Sequence, residues 1–214
     1  MVIASESSNG YRCKPASYLS RDGERDRVVD WSVCDAIILT DTVTGAATKE
    51  WTEVKACWSP EWLYVTFLCQ DRHVVSDYTQ RDEPLYEQDV VEVFIDEEGD
   101  GKRYMEFQIS PHNVIFDARV ENSGANSVAK LDLEWNCDGL RTTVERESDD
   151  LLRYVICFPA SAFKDGLKQG ARWKLNFYRI DEDAEGNREY QAWRPTGAVN
   201  YHVPSSFGTF ELIS

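Results

Sequence analysis

Through most of this chain apolar side chains recur at every second position, in short runs closed by Gly, Pro, Asn or Asp. DVVEVFID, RYMEFQIS and LRYVICF are examples. A period of two lets a strand bury one face, whereas a helix would need apolar residues three and four apart. The same pattern, or a β-branched version of it, runs through DAIILT, TEVKACW, LYVTFLCQ, NVIFDAR, KLDLEW, LRTTVE, RWKLNFYRI and FGTFELI. No stretch sustains a helical period, and only PASAFKDG suggests a short helical turn. The fold class is therefore all-β. About eleven strands without βαβ spacing predict two packed antiparallel sheets, a β-sandwich or jelly roll with very little helix. No repeat or Pro/Ser-rich linker divides the chain, so residues 31–214 are expected to form a single domain. Residues 1–30, which include SRDGERDR, would be an N-terminal arm or first strand.

The formal net charge of −15 gives a field that repels phosphate backbones and anionic lipid surfaces, so neither nucleic acid nor membrane is an expected partner. The first residues, MVIASESSNGYRCKP, hold no apolar signal-type run, and no later stretch approaches the ~18 apolar residues of a membrane span. That reads as cytoplasmic by default, or secreted if a signal has been removed; oligomeric state is open. Cys13, Cys34, Cys57, Cys69, Cys137 and Cys157 lie far apart without C-x-x-C spacing, several inside apolar runs. They read as buried free thiols rather than zinc ligands.

Acidity gathers in the hairpin loops EEGDGK and EDAEGN. In the first, Asp96, Glu98, Asp100 and Gly101 take the first, third, fifth and sixth places of a calcium loop, but Phe107 stands where the twelfth-place bidentate Glu belongs. An EF-hand is excluded; an irregular oxygen cage for a structural calcium at Asp96, Glu98 and Asp100 stays open beside a plain solvated turn.

Alternation puts Val91, Val93 and Ile95 on one face of DVVEVFID and Glu92 on the other. In RYMEFQIS, likewise, Met105, Phe107 and Ile109 oppose Tyr104, Glu106 and Gln108. If EEGDGK pairs the two strands, Glu92, Glu106 and Gln108 share one polar face, expected to be an outward and concave surface of the sheet. Tyr86 precedes one strand in a loop, and Tyr201 precedes the last strand in another. Flat rings beside carboxylates and amides suit a sugar, which offers both an apolar C–H face and hydroxyls.

The segments LYVTFLCQD, YEQDVVEVFID, RYMEFQISPHNVIFDAR, GARWKLNFYRID and AWRPTGAVNYHVPSSFGTFEL run in the order seen in family 9 carbohydrate-binding modules, and over residues 62–212 the chain resembles the single-domain family 9-like proteins. The resemblance implies a non-catalytic carbohydrate-binding module that takes the terminus of an oligo- or polysaccharide, its end sugar clamped between two aromatic rings. It puts Tyr86 and Tyr201 at the clamp and makes Glu92 a hydroxyl acceptor. Gln108, Glu106, Asn176 and Arg179 follow as supporting candidates, although alternation sets Asn176 and Arg179 on opposite faces. It also brings an association with calcium. The chain departs from the xylanase-attached members at four points: the clamp is tyrosine rather than tryptophan twice over, Gln108 stands for an arginine, and Ala198 for an asparagine.

Three other readings compete. Glu92 and Glu106 could stand ~5 Å apart, as the carboxyl groups of retaining glycosidases do. Related sandwiches carry haem on Met and His, which would require Met105 to meet His73, His112 or His202 in one pocket. The tyrosines could also anchor a protein interface.

Overall fold

The computed structural model describes residues 10–19, 28–124 and 126–214; the SRDGERDR segment lies outside the described residues. Strands in chain order are β1 (Gly10–Pro15), β2 (Tyr18–Leu19), β3 (Val28–Val29), β4 (Ile37–Ile38), β5 (Thr40–Asp41), β6 (Thr52–Trp58), β7 (Trp62–Gln70) and β8 (Val90–Asp96). They continue as β9 (Arg103–Ile109), β10 (Ile115–Asn122), β11 (Val128–Asp132), β12 (Arg141–Ser148), β13 (Leu151–Pro159), β14 (Arg172–Glu182), β15 (Arg188–Ala192) and β16 (Gly208–Leu212). Helix among the described residues amounts to short 3-10 turns, one of them at Ala160–Ala162 within PASAFKDG. No helix of the described residues is long and apolar enough to cross a membrane.

Eleven strands follow one another along a curled path, β11-β10-β9-β8-β14-β16-β1-β6-β7-β13-β12. The curl folds the β8/β9/β14 half over the β6/β7/β13 half, giving the sandwich that the alternation predicts. Pairing is antiparallel except at β1, which departs from the all-antiparallel expectation. Its residues Gly10–Cys13 run parallel to Thr209–Leu212 of β16, and Lys14–Pro15 run parallel to Cys57–Trp58 of β6. This strand joins the two halves. Tyr11 ties it down: its ring stacks on Phe210 at 5.3 Å, and its hydroxyl donates to the Asp35 carbonyl at 2.8 Å and accepts from the Ala56 N–H at 2.9 Å.

The main core lies between the halves and takes the even-period apolar side chains of both, including Val91, Val93, Phe107 and Phe177 against Phe67 and Phe158. The six cysteines stand as free thiols, five of them buried. The β8–β9 hairpin forms with Glu92 opposite Gln108 and Phe94 opposite Glu106. Gly99 and Gly101 close it at φ 68° and 73°, a left-handed conformation that a side chain resists.

A second apolar cluster sits on the far face of the same sheet and includes Leu85, Phe94, Phe116, Tyr178, Tyr201 and Phe207. Alternation alone foresees a wet outward face here. Instead, loops arriving from residues 84–88 and 199–207 lie over it and convert it into a partly closed second layer.

Candidate functional site

Glu92 stands at the centre of that layer. Gln108 of β9 flanks it on one side and Tyr178 of β14 on the other. The sheet face is the one expected, but the exposure is not: Glu92 is 1% exposed, Gln108 1% and Glu106 4%. These three residues, with Tyr86 and Tyr201, line one cavity of about 540 Å³, within the ~300–1,000 Å³ usual for small-molecule sites.

The polar floor is short of donors. Gln108 Nε2 donates to Glu106 Oε1 at 2.7 Å, which fixes the orientation of that amide. Glu92 Oε1, Glu106 Oε2 and Gln108 Oε1 are buried and meet no donor among the described residues. A buried acceptor without a donor costs about 1–3 kcal/mol, so three together mark a place built to receive donors from outside. Desolvation, with the neighbouring Glu106 charge second, raises the Glu92 pKa well above the ordinary carboxylate value. Desolvation likewise pushes Glu106 up to about 7, and the Gln108 hydrogen bond opposes it.

Two tyrosines stand over this floor in different ways. Tyr201 is built in: its ring stacks on Tyr178 at 4.0 Å and 12°, its hydroxyl donates to the Arg179 carbonyl at 2.8 Å, and the Tyr178 hydroxyl donates back to the Tyr201 carbonyl at 3.0 Å. Tyr86 is displayed, at 50% exposure, on the 3-10 turn Leu85–Glu87. Buried Leu85 anchors that turn from beneath, and Asp89 pins its exit by accepting from the Val75 N–H at 2.6 Å and the Glu182 N–H at 2.8 Å. The Tyr78 hydroxyl donates to Glu87 at 2.5 Å. The aromatic-Glu-Gln-Asp sequence thus builds the rigid loop that presents Tyr86.

Sequence reasoning did not single out Tyr190, Asn200, Arg188 and Phe94 as pocket residues, and His202 it set aside as structural. His202 lies across from Tyr104, whose hydroxyl is 2.8 Å from its Nδ1, and burial lowers its pKa to about 4, so the ring is neutral at physiological pH. Proximity to Tyr201 in sequence was the available signal for Asn200 and His202. Nothing local marks Phe94 or Tyr190.

Two predicted residues lie elsewhere. Asn176 shares the pocket's sheet face, but it clamps the Arg194 backbone, donating from Nδ2 to the carbonyl at 2.8 Å and accepting from the N–H at 2.9 Å. Arg179 points to the opposite, core side, as alternation requires. Its guanidinium is buried against Asp181 and Asp71 and donates to the Gln70 carbonyl at 2.7 Å. Trp193 is part of the core side too, packed against Phe177 and over Gly208.

The acidic turn spends its oxygens locally. Asp96 accepts from the Gly99 and Gly101 N–H groups, Glu98 pairs with Lys164, and Asp100 with Lys102. The three do not converge on one point. Among the described residues, the carboxylates that do are Asp71, Asp89 and Asp181, with one oxygen from each lying within 4.8 Å of the others. Oxygen donors at this spacing suit a hard cation, and buried Asp71 Oδ1 meets no donor among the described residues. Arg179 already brings one positive charge there, and Asp89 spends its oxygens on backbone N–H groups. Burial pushes both Asp89 and Asp181 up to about 7.

The haem arrangement does not form. Met105 faces the main core, on the opposite side of β9 from Tyr104 and His202, while His73 and His112 are exposed.

The family model described as carbohydrate family 9 binding domain-like matches residues 22–214. The chain belongs to that family. A family 9 carbohydrate-binding module from Caldicellulosiruptor kristjanssonii in complex with cellotriose is similar in structure, with a TM-score of 0.67 at 19% identity over 95% of this chain and 93% of that one. The corresponding figures for a family 9 module from the same organism in complex with glucose are 0.63 and 20%, over 94% and 95%. In sequence, the chain is 25% identical over 197 residues to a protein of Arthroderma benhamiae named "Extracellular protein", covering 85% of this chain and 89% of that one. The eleven-strand curled path is this family's sandwich.

Proposed function

We propose that the cavity beneath Tyr86 binds the terminal unit of a carbohydrate without transforming it. The pyranose ring lies between the rings of Tyr86 and Tyr201, and its hydroxyls donate to Glu92, Glu106 and Gln108. The observation that carries this reading is the floor itself: three buried acceptors without protein donors, flanked by a displayed and a built-in aromatic ring. A sugar supplies the missing donors and an apolar C–H face for the rings. The similar modules seen with cellotriose and glucose support the substrate class. Few contacts must offset the ordering cost, so affinity falls on the order of micromolar to millimolar.

Calorimetric titration of wild type and Tyr86→Ala with glucose, cellotriose and xylo-oligomers tests it. Binding by the wild type, weakened roughly tenfold or more in the variant, is the expected result. Equal affinity in both proteins would remove Tyr86 from the site.

The raised pKa values of Glu92 and Glu106 favour a second reading, a glycoside hydrolase with one protonated carboxyl. It ranks lower because the two side chains are diagonal neighbours on one sheet face and approach a ligand from the same side. Acid and nucleophile must flank the scissile bond. Product chromatography after prolonged incubation separates the two: released sugar that disappears in Glu92→Gln would establish hydrolysis.

A further inference from the structure

The cavity's charge narrows the ligand class further, on the premise that it is a sugar site. Its buried floor holds two carboxyl groups and an amide oxygen, all short of donors, and its rim adds Glu87. The cationic lining residue, Arg188, is already engaged: its Nε donates to Glu182 at 2.7 Å and its guanidinium to the Glu87 carbonyl. Among the described residues, nothing on the floor neutralises a carboxylate. A neutral sugar hydroxyl donates one hydrogen bond and carries no charge, so it leaves the pair either ionised without a counter-ion or held protonated. An ammonium group carries three donors and one positive charge, which matches three orphaned acceptors of which two belong to acids.

We infer that the pocket selects amino sugars, sugars whose ring bears a protonated amine in place of one hydroxyl, over their neutral counterparts. The ring stacks between Tyr86 and Tyr201 while the ammonium sits among Glu92 Oε1, Glu106 Oε2 and Gln108 Oε1. The chain's net charge of −15 acts in the same direction at long range, drawing polycationic glycan chains toward the rim.

The test is calorimetric titration of the wild type with glucosamine and glucose side by side near neutral pH, repeated with Glu106→Gln. Glucosamine is expected to bind at least roughly tenfold more tightly than glucose, and the ratio to collapse toward one in the variant. The wild-type ratio needs no variant to fold. Glucose binding with a ratio at or below one would overturn the amino-sugar inference and leave the carbohydrate reading standing. Binding of neither sugar would overturn both. A preference for glucosamine that persists undiminished in Glu106→Gln would show that the carboxyl pair is not its source and overturn the assignment.

Discussion

Replacing Glu106 by Gln should make the protein less sensitive to pH, and the size of the change follows from the pocket. The unfolded chain gives up this proton near the ordinary 4.5, whereas the folded chain holds it to about 7. Between those values the native state binds more protons than the unfolded state, so stability falls as pH rises. At about 1.4 kcal/mol per pH unit, the span corresponds to about 3 kcal/mol lost between acid and mildly alkaline conditions. Desolvation raises the Glu92 pKa as well, so its loss runs in the same direction. The other groups around the pair stay neutral across this window: burial raises the Tyr104, Tyr178 and Tyr201 hydroxyls, and His202 titrates near 4. Glu87 and Arg188 at the rim, and Asp89 and Asp181 on the core side, are the same in both proteins and cancel in the comparison. Glu106→Gln keeps the shape, removes one proton site and relieves the charge beside Glu92. Urea unfolding of both proteins at about pH 5 and about pH 8 should show the variant gaining on wild type by about 3 kcal/mol at the higher pH. Parallel stability changes in the two proteins would refute the claim that the pair is buried and coupled.

Four further substitutions probe separate parts of the structure. Arg179→Met leaves Asp71 and Asp181 without their counter-ion and should cost about 3–5 kcal/mol near neutral pH. The penalty should shrink in acid, where the carboxyls are protonated, and denaturant midpoints across pH would follow it. Tyr201→Phe removes the donor to the buried Arg179 carbonyl and should cost about 1–3 kcal/mol in thermal or urea unfolding, whereas Tyr86→Ala, at an exposed ring, should stay within about 0.5 kcal/mol of wild type. Gly208→Ala would bring a Cβ to 2.4 Å from the Trp193 ring. Overpacking of about 1–3 kcal/mol is expected, with a matching fall in melting temperature.

Most long strands, and the β8–β9 pairing, were legible because one face of these strands is apolar at every second residue. The same alternation correctly separated Glu92 from the Val91/Val93 core face and set Arg179 opposite Asn176. β1 and β15 went unread for different reasons. Gly10 and Pro15 bound β1 tightly, leaving only Tyr11 and Cys13 to show its period, and REYQA is mostly polar. Burial of Glu92 was not legible, since it depends on loops from residues 84–88 and 199–207 meeting over the sheet, a tertiary event with no local pattern. The resemblance drew Tyr86, Tyr201, Glu92, Glu106 and Gln108 to one place, and the geometry gathers them around one cavity. It also suggested Asn176 and Arg179, whose side chains a loop clamp and a buried acidic cluster claim.

In the proposed complex a sugar end occupies the space between Tyr86 and Tyr201 above Glu92. A crystal structure of the protein grown with cellotriose, and with an amino-sugar oligomer in parallel, tests it most directly. One terminal ring is expected in the cavity, stacked on Tyr86 and within hydrogen-bond distance of Glu92, Glu106 and Gln108. A sugar bound at another surface while this cavity remains without one would contradict it.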